Sequence, residues 1–241
     1  MRKNKGRKIV NSNRKTAIIV GALYIFGTVA GILGEVFGPN LDAPDYLANL
    51  SANENQVLIR ALLFFTMAVL TVGISIYLYP ILKKYNEALA LGHVVFRTIE
   101  TVFFTVSAIS LLTLLTLSQE FVIAGTPDAS YFQTLATSLL AVGKWSGGVF
   151  ATIAFSLSAL MLNYILYRSK LLPRWLSGWG LIGSALYFGS GFLPLFGHDP
   201  RSTIYLLMDV PTFLQEMVLA AWLIVKGFNS DAIASESVKQ I

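Results

Sequence analysis

The chain has 241 residues, of which 55% are hydrophobic and 13% are charged, and its formal net charge is +5. Its mean hydropathy of +0.64 excludes an ordinary soluble domain, because a buried helical bundle would need polar helix faces that the apolar runs lack. The absence of cysteine from the sequence excludes disulfides, thiolate metal sites, iron–sulfur clusters and cysteine nucleophiles.

The first fifteen residues, MRKNKGRKIVNSNRK, are strongly basic and precede a long apolar run. They resemble the start of a signal peptide, but the run Thr16–Phe37 has no small-x-small cleavage site. We therefore predict a basic cytoplasmic tail over 1–15, followed by an uncleaved signal-anchor helix. Gly27 and Gly31 place small residues on one face of this helix, which favours close packing against a neighbour.

Six apolar runs are each long enough to cross a hydrocarbon core of about 30 Å. They are Thr16–Phe37, Gln56–Leu82, Leu91–Leu117, Leu135–Leu166, Trp175–Phe196 and Thr203–Val225. The pattern predicts an all-α, polytopic membrane protein, a bundle of six transmembrane helices over residues 16–228. A polar, disordered cytoplasmic tail is expected over 229–241. Six crossings place both termini on one side of the membrane.

Two connecting regions carry signals of their own. The loop Gly38–Asn55 contains prolines, so we expect an irregular start and a short interfacial turn at Tyr46–Leu50. In the sixth run, Asp209 and Pro211 allow a helix that begins at Asp209 or a continuous helix that begins near Ser202 and kinks at the proline. We favour the continuous helix.

The basic residues cluster at particular ends of the runs, which gives an orientation. By the positive-inside rule both termini are cytoplasmic, and the positive charge is not a footprint for nucleic acid. The residues on the predicted inner side are Arg2, Lys3, Lys5, Arg7, Lys8, Arg14, Lys15, Lys83, Lys84, Arg168, Lys170, Arg174, Lys226 and Lys239. The outer loops hold Asp42, Asp45, Glu54, Glu120, Asp128 and Asp199, with Arg201 as their one basic residue.

Charged residues also lie inside the third and sixth runs. A lone charge at the bilayer centre costs about 2.5 kcal/mol or more, so these groups need partners. Counting along the helices places Glu100 and Glu216 about 15 Å from the cytoplasmic ends. His93, Arg97 and Glu100 share one helix face. We predict an intramembrane cluster of His93, Arg97, Glu100 and Glu216, which is either a permanent ion pair that fixes packing or a proton relay or cation site.

A second set of charged residues lies at one depth in the outer half. Glu35, Arg60, Lys144 and Asp209 are predicted to form cross-helix pairs around an outward-facing cavity. The alternative is that the long basic side chains reach headgroups or water individually, and that Asp209 caps a helix.

The sequence favours neither a metal site nor a cofactor. Its two histidines, His93 and His198, fall on opposite sides of the predicted membrane and cannot share a ligand shell. The zinc-protease, serine-hydrolase and phosphate-loop motifs are absent from the sequence. A serine hydrolase would have to use Lys144 as its base, with Ser138 or Ser146 as nucleophile.

Two stretches resemble a known family of bacterial membrane proteins. They are LYRSKLLPRWLSGWGLIG (166–183) and PTFLQEMVLAAWLIVKGF (211–228), and the family is catalogued as a domain of unknown function of the DUF4386 type. The resemblance covers about Thr16–Phe228 and implies a multi-pass protein of the bacterial inner membrane, with no activity to transfer. The basic and aromatic residues of the first stretch suit a headgroup anchor that could bind an anionic lipid: Arg168, Lys170, Arg174, Trp175 and Trp179.

The function expected from these features is transport, sensing or binding of a small or lipophilic ligand in a charged intramembrane cavity. The expected partners are the lipid bilayer and a small-molecule or lipid ligand, without nucleic acid, and the sequence predicts no oligomeric state. One alternative is a lipid-active membrane enzyme, disfavoured because no nucleophile, base and metal set converges. Another is a scaffold or immunity-type partner of a membrane protein, which the small-residue faces of the first and fifth runs favour.

Overall fold

The computed structural model describes residues 2–125, 129–198 and 202–239, and within these ranges the backbone is helical with no strand. The predicted all-α class is therefore confirmed. A π-helical segment, Lys144–Phe150, joins α5 to α6, and a 3-10 turn, Leu193–Phe196, follows α7. The α-helices are α1 (Arg2–Val36), α2 (Tyr46–Ala52), α3 (Glu54–Leu82), α4 (Glu87–Ala124), α5 (Ala129–Gly143), α6 (Ala151–Ser169), α7 (Arg174–Ser190), α8 (Thr203–Val225) and α9 (Ser230–Lys239).

Six of the described segments are long and apolar enough to cross a membrane, as the sequence predicts. They are Ser12–Val36, Glu54–Leu82, Glu87–Ala124, Ser130–Ser169, Arg174–Phe196 and Thr203–Val225. Large apolar side chains such as Phe26, Leu62 and Leu207 point outward and are more than half exposed, as expected for a surface that faces lipid.

The six crossing segments form a closed ring in chain order. Each of α1, α3, α4, α6, α7 and α8 packs against its neighbours in that order, and α8 packs back on α1. The helices α1 and α8 approach each other closely at Gly21, where an added Cβ would lie 2.7 Å from the Ala220 carbonyl oxygen. Arg14 reinforces the closure, donating to the carbonyl oxygens of Leu223 at 3.0 Å and Ile224 at 2.6 Å, at the end of α8.

Apolar side chains pack at both ends of the ring. The end that holds the chain termini, called the terminal end here, has a large core that includes Leu78, Leu166 and Leu223. The opposite end, called the α2 end, has a smaller core that includes Leu50 and Leu114. Polar residues and a cavity lie between the two cores along α4.

The helix boundaries differ from the prediction near the two termini. α1 begins at Arg2, so the basic segment is continuous with the first crossing helix. The tail predicted to be disordered forms α9, and that prediction is wrong. Asn229 ties the start of this helix to α6–α7 through a 2.9 Å bond from its backbone nitrogen to the Leu171 carbonyl oxygen. Ile233 is buried against the terminal-end core and anchors the helix there.

The sixth crossing helix is continuous through Pro211, as favoured from the sequence. It begins at Thr203 after Ser202, which places Asp209 inside the helix and excludes a capping role for it. A short helix, α2 (Tyr46–Ala52), is also present where a turn is predicted.

Candidate functional site

One face of α4 carries the polar residues of the interior. His93, Arg97 and Glu100 follow one another at helical spacing and are 0%, 1% and 2% exposed. Phe104 and Ser107 continue the same face toward the α2 end. Burial of three ionisable groups on one stripe requires that the other helices supply compensating groups.

Arg97 is the centre of a buried charge cluster, which we define as Arg97, Glu100 and Glu216. The Arg97 Nη1 atom lies 3.1 Å from Glu100 Oε2, and its Nη2 atom lies 3.2 Å from Glu216 Oε1. The guanidinium also stacks over the Phe155 ring at 4.5 Å. The structure thus brings together the charges that the sequence predicts to meet, with one carboxylate more than the arginine can neutralise.

Glu216 is the most accessible member of the charge cluster, with 19% of its side chain exposed against 2% for Arg97 and 3% for Glu100. It reaches Arg97 from α8, which is not a neighbour of α4 in the ring. The contact between them therefore crosses the interior of the bundle. Glu216 is therefore the one member of the charge cluster whose side chain is not almost fully buried.

Two buried polar atoms at the charge cluster, His93 Nε2 and Arg97 Nε, have no hydrogen-bond partner among the described residues. Tyr24 comes from α1, and its buried hydroxyl lies close to Arg97 and within electrostatic reach of both glutamates. Because a buried unpaired polar group costs about 1–3 kcal/mol, this region has the capacity to bind water or a polar group of a ligand.

His93 is held by Ser158 of α6, a partner that the sequence analysis missed. The His93 Nδ1 atom lies 2.6 Å from Ser158 Oγ and 3.2 Å from the Ser158 carbonyl oxygen, and Ser158 Oγ donates to the His93 carbonyl oxygen at 2.9 Å. A carbonyl oxygen can only accept, so we assign the proton to Nδ1, which leaves Nε2 as a free acceptor. Ser158 gives its own proton to a carbonyl and not to a base, which disfavours a role as nucleophile.

A cavity of about 1000 Å³ opens at the α2 end, and we call it the α2-end cavity. Its wall includes Phe104 and Ser107 of α4 and the π-helical segment, a feature frequent at functional sites. Phe104 is one helical turn, about 6 Å, from Glu100 on the same face. A Cβ on Gly148 would meet no atom within 4 Å, so the cavity is open at that position.

Three of the four predicted rim residues line the α2-end cavity. Arg60 pairs with Glu35 at 3.2 Å, and Lys144 lines the cavity without an ion pair among the described residues. Asp209 does not line it and lies instead within electrostatic reach of Tyr187 and Glu216. Counting residues gives the depth of a side chain but not its direction around the helix. His198 lines the cavity, far along the chain and the bundle from His93.

The residues of the predicted headgroup anchor lie in different surroundings in the structure. Lys170 and Arg174 line a cavity of about 450 Å³ at the terminal end. Trp222 lines the same cavity, and Trp175 contacts it edge to face, with 6.2 Å between the ring centres. Arg168 does not line this cavity, and Trp179 packs against the terminal-end core. The predicted outer-loop residues Asp128, Asp199 and Arg201 lie outside the described residues.

Over the ranges that the structure describes, no three histidine, aspartate or glutamate side chains converge into a possible metal site. The candidate site is therefore the buried charge cluster with its unpartnered polar neighbours, together with the α2-end cavity one turn away. The groups it offers are charges and hydrogen-bonding atoms.

Comparison with known proteins gives one match. The model of a family described as a domain of unknown function, DUF4386, matches residues 19–227. No curated protein and no solved structure matches the chain. With six helices able to cross a membrane and this match over most of its length, the chain is a membrane protein of unknown activity that belongs to the DUF4386 family.

Proposed function

We propose that the protein binds a small amphipathic ligand in the α2-end cavity and couples its occupancy to the charge cluster, as a transporter or a sensor does. The observation that carries this proposal is the position of Phe104. Its side chain lines the cavity and lies on the same helix face as Glu100, one turn away. A ligand that displaces this ring would bring the cavity into contact with the charge cluster.

The chemistry of the cavity wall supports an amphipathic ligand. Leu111, Leu139 and Phe104 offer an apolar surface. Arg60 with Glu35, and Lys144, which has no ion pair among the described residues, offer charge at the rim. The volume of about 1000 Å³ is at the upper end of the range for small-molecule pockets. Such a pocket suits an apolar body with one polar or charged group.

The composition of the charge cluster supports the coupling. Two carboxylates share one guanidinium, so the second carboxylate holds either a proton or an uncompensated charge in a buried place. Proton relays in membrane transporters are built from groups of this kind. Glu216, as the most accessible member, is the proposed site of proton or cation exchange.

Orientation and location form part of the proposal. The concentration of lysine and arginine at the terminal end supports cytoplasmic termini, and the α2-end cavity would then open to the outside. In a bacterial inner membrane, as the family resemblance implies, the outside is the periplasm.

The two alternatives from the sequence have less support. A lipid-active enzyme would require an activated nucleophile, and Ser158 and His93 are both 0% exposed, with the serine proton donated to a carbonyl. A scaffold would use the small-residue faces, but these meet partners inside the bundle. Gly31 faces Met67 of α3, and Gly183 faces Thr212 of α8.

Filling the cavity tests the proposed binding. Gly148→Phe places a ring in open space, whereas Gly148→Ala changes the same position without filling it. Native mass spectrometry of protein purified from its own membranes should show a co-purifying small molecule on the wild type and on Gly148→Ala. The molecule should be lost from Gly148→Phe. Equal occupancy of all three proteins, or no ligand on any of them, would contradict the proposal.

A further inference from the structure

We propose that the terminal-end cavity of about 450 Å³ is a binding site for the phosphate headgroup of an anionic phospholipid. The site is separate from the α2-end cavity and does not rest on the proposed transport or sensing function. It is lined by Lys170, Leu171, Leu172, Pro173, Arg174, Trp222, Lys226, Gly227, Phe228 and Asn229.

The cavity is built by a clamp between two connections that are far apart in the chain. The Asn229 backbone nitrogen donates to the Leu171 carbonyl oxygen at 2.9 Å, and its side-chain Nδ2 donates to the Lys170 carbonyl oxygen at 3.3 Å. Lys170 adopts the left-handed conformation, with φ of 57°, at the end of α6. These contacts hold the α8–α9 connection against the α6–α7 connection, so the cavity is a defined feature of the fold.

Three positively charged residues line this cavity and have no acidic partner among the described residues. Lys170, Arg174 and Lys226 line it, and none of them forms an ion pair with another described residue. The guanidinium of Arg174 stacks on Tyr167 at 5.4 Å, which orients it. Three like charges at one cavity attract an anion, and a phosphate offers several acceptor oxygens for such donors.

The surroundings indicate a lipid as the source of the phosphate. The cavity lies where α6 ends, α7 begins and α8 ends, at the boundary of three crossing helices. Trp222 lines it, and Trp175 next to Trp222 is 57% exposed, as tryptophans at a membrane interface are. Ile182 and Val225 are more than 60% exposed on the adjoining helices and offer an apolar surface for acyl chains.

The test uses the full chain in nanodiscs of phosphatidylcholine that contain a small, varied fraction of phosphatidylglycerol with brominated acyl chains. Bromine quenches nearby tryptophan, and a Trp145→Phe/Trp179→Phe background leaves Trp175 and Trp222 as reporters. The variant Lys170→Gln/Arg174→Gln/Lys226→Gln should need at least about tenfold more brominated lipid for half-maximal quenching. The matched control Lys83→Gln/Lys84→Gln/Arg168→Gln removes three charges at the same end outside the cavity and should shift the value less than about twofold.

The outcomes separate a site from general surface attraction. Equal losses in the two triple variants, or no loss in the cavity variant, would overturn the proposal. Competition by inorganic phosphate or glycerol 3-phosphate as strong as that of the lipid would show a site for free phosphate and overturn the lipid assignment. If the cavity triple variant does not elute as a folded protein, Lys226→Gln and the charge-neutral Asn229→Ala replace it. Each of them should weaken lipid binding several-fold.

Discussion

Arg97 on α4 and Glu216 on α8 lie 3.2 Å apart, although their helices are not neighbours in the ring. Their ion pair therefore ties opposite parts of the bundle together through its interior. Because Glu100 shares the same guanidinium, one arginine compensates two buried carboxylates. The stability of the fold depends on this ion pair, whereas the proposed coupling depends on the surplus carboxylate.

Replacement of Arg97 by methionine should be strongly destabilising. The change leaves Glu100 and Glu216 buried without a cation, and breaking a buried ion pair costs about 3–5 kcal/mol. We expect a large fall in the midpoint of thermal unfolding in detergent, measured by circular dichroism. The triple variant Arg97→Met/Glu100→Gln/Glu216→Gln has no uncompensated charge and should recover most of the loss. Wild-type stability of the single variant would contradict the assigned role of the pair.

Glu216→Gln separates a functional role from a structural one. The variant keeps Glu100 as a counter-ion for Arg97 and leaves an amide oxygen that can still accept its hydrogen bond, so the free energy of unfolding should fall by only about 1–2 kcal/mol. Proton movement should nevertheless be lost, because the excess carboxylate is gone. Proteoliposomes with an enclosed pH-sensitive dye should dissipate an imposed pH gradient faster with wild type than with Glu216→Gln. Glu120→Gln, which changes an exposed carboxylate outside both the cluster and the cavity, is the control.

The sequence predicts the charge cluster well because charges in apolar runs stand out and their depth follows from counting residues. The uncharged residues around the cluster could not be predicted in this way. Tyr24, Phe155 and Ser158 are ordinary residues for their helices, and their role depends on which way each helix faces, which residue counting does not provide. The helix α9 could not be predicted because its sequence is polar, and its apolar residue Ile233 is buried only through contact with the terminal-end core.

Arg14 should stabilise the closure of the ring. Its side chain donates to three carbonyl oxygens at the end of α8, where a cation also complements the helix dipole. Arg14→Ala should lower the free energy of unfolding by about 1.5–3 kcal/mol. Lys15→Ala removes the same charge from an exposed neighbour and should have little effect. Equal effects of the two substitutions, measured by thermal unfolding in the same detergent, would show that only net charge matters.

The central claim is that a water-accessible cavity reaches to within about one helical turn of Glu100 from the α2 end. The natural sequence contains no cysteine, so single cysteines can be labelled without background. Ser107→Cys places a thiol on the cavity wall, and Ile109→Cys places one on the lipid-facing side of the same helix, where the native residue is 57% exposed. The thiolate is the reactive form of cysteine, and a cysteine that faces lipid stays in the unreactive thiol form.

The decisive measurement is the rate at which these cysteines react with a charged, membrane-impermeant methanethiosulfonate reagent added to intact cells and to opened membranes. Ser107→Cys should react rapidly with reagent added outside, Ile109→Cys should remain unreactive, and Gly148→Phe should protect Ser107→Cys. Reaction of Ser107→Cys only in opened membranes would contradict the orientation. An unreactive Ser107→Cys in both preparations, with Ile109→Cys equally unreactive, would contradict the existence of a water-accessible cavity and with it the proposed function.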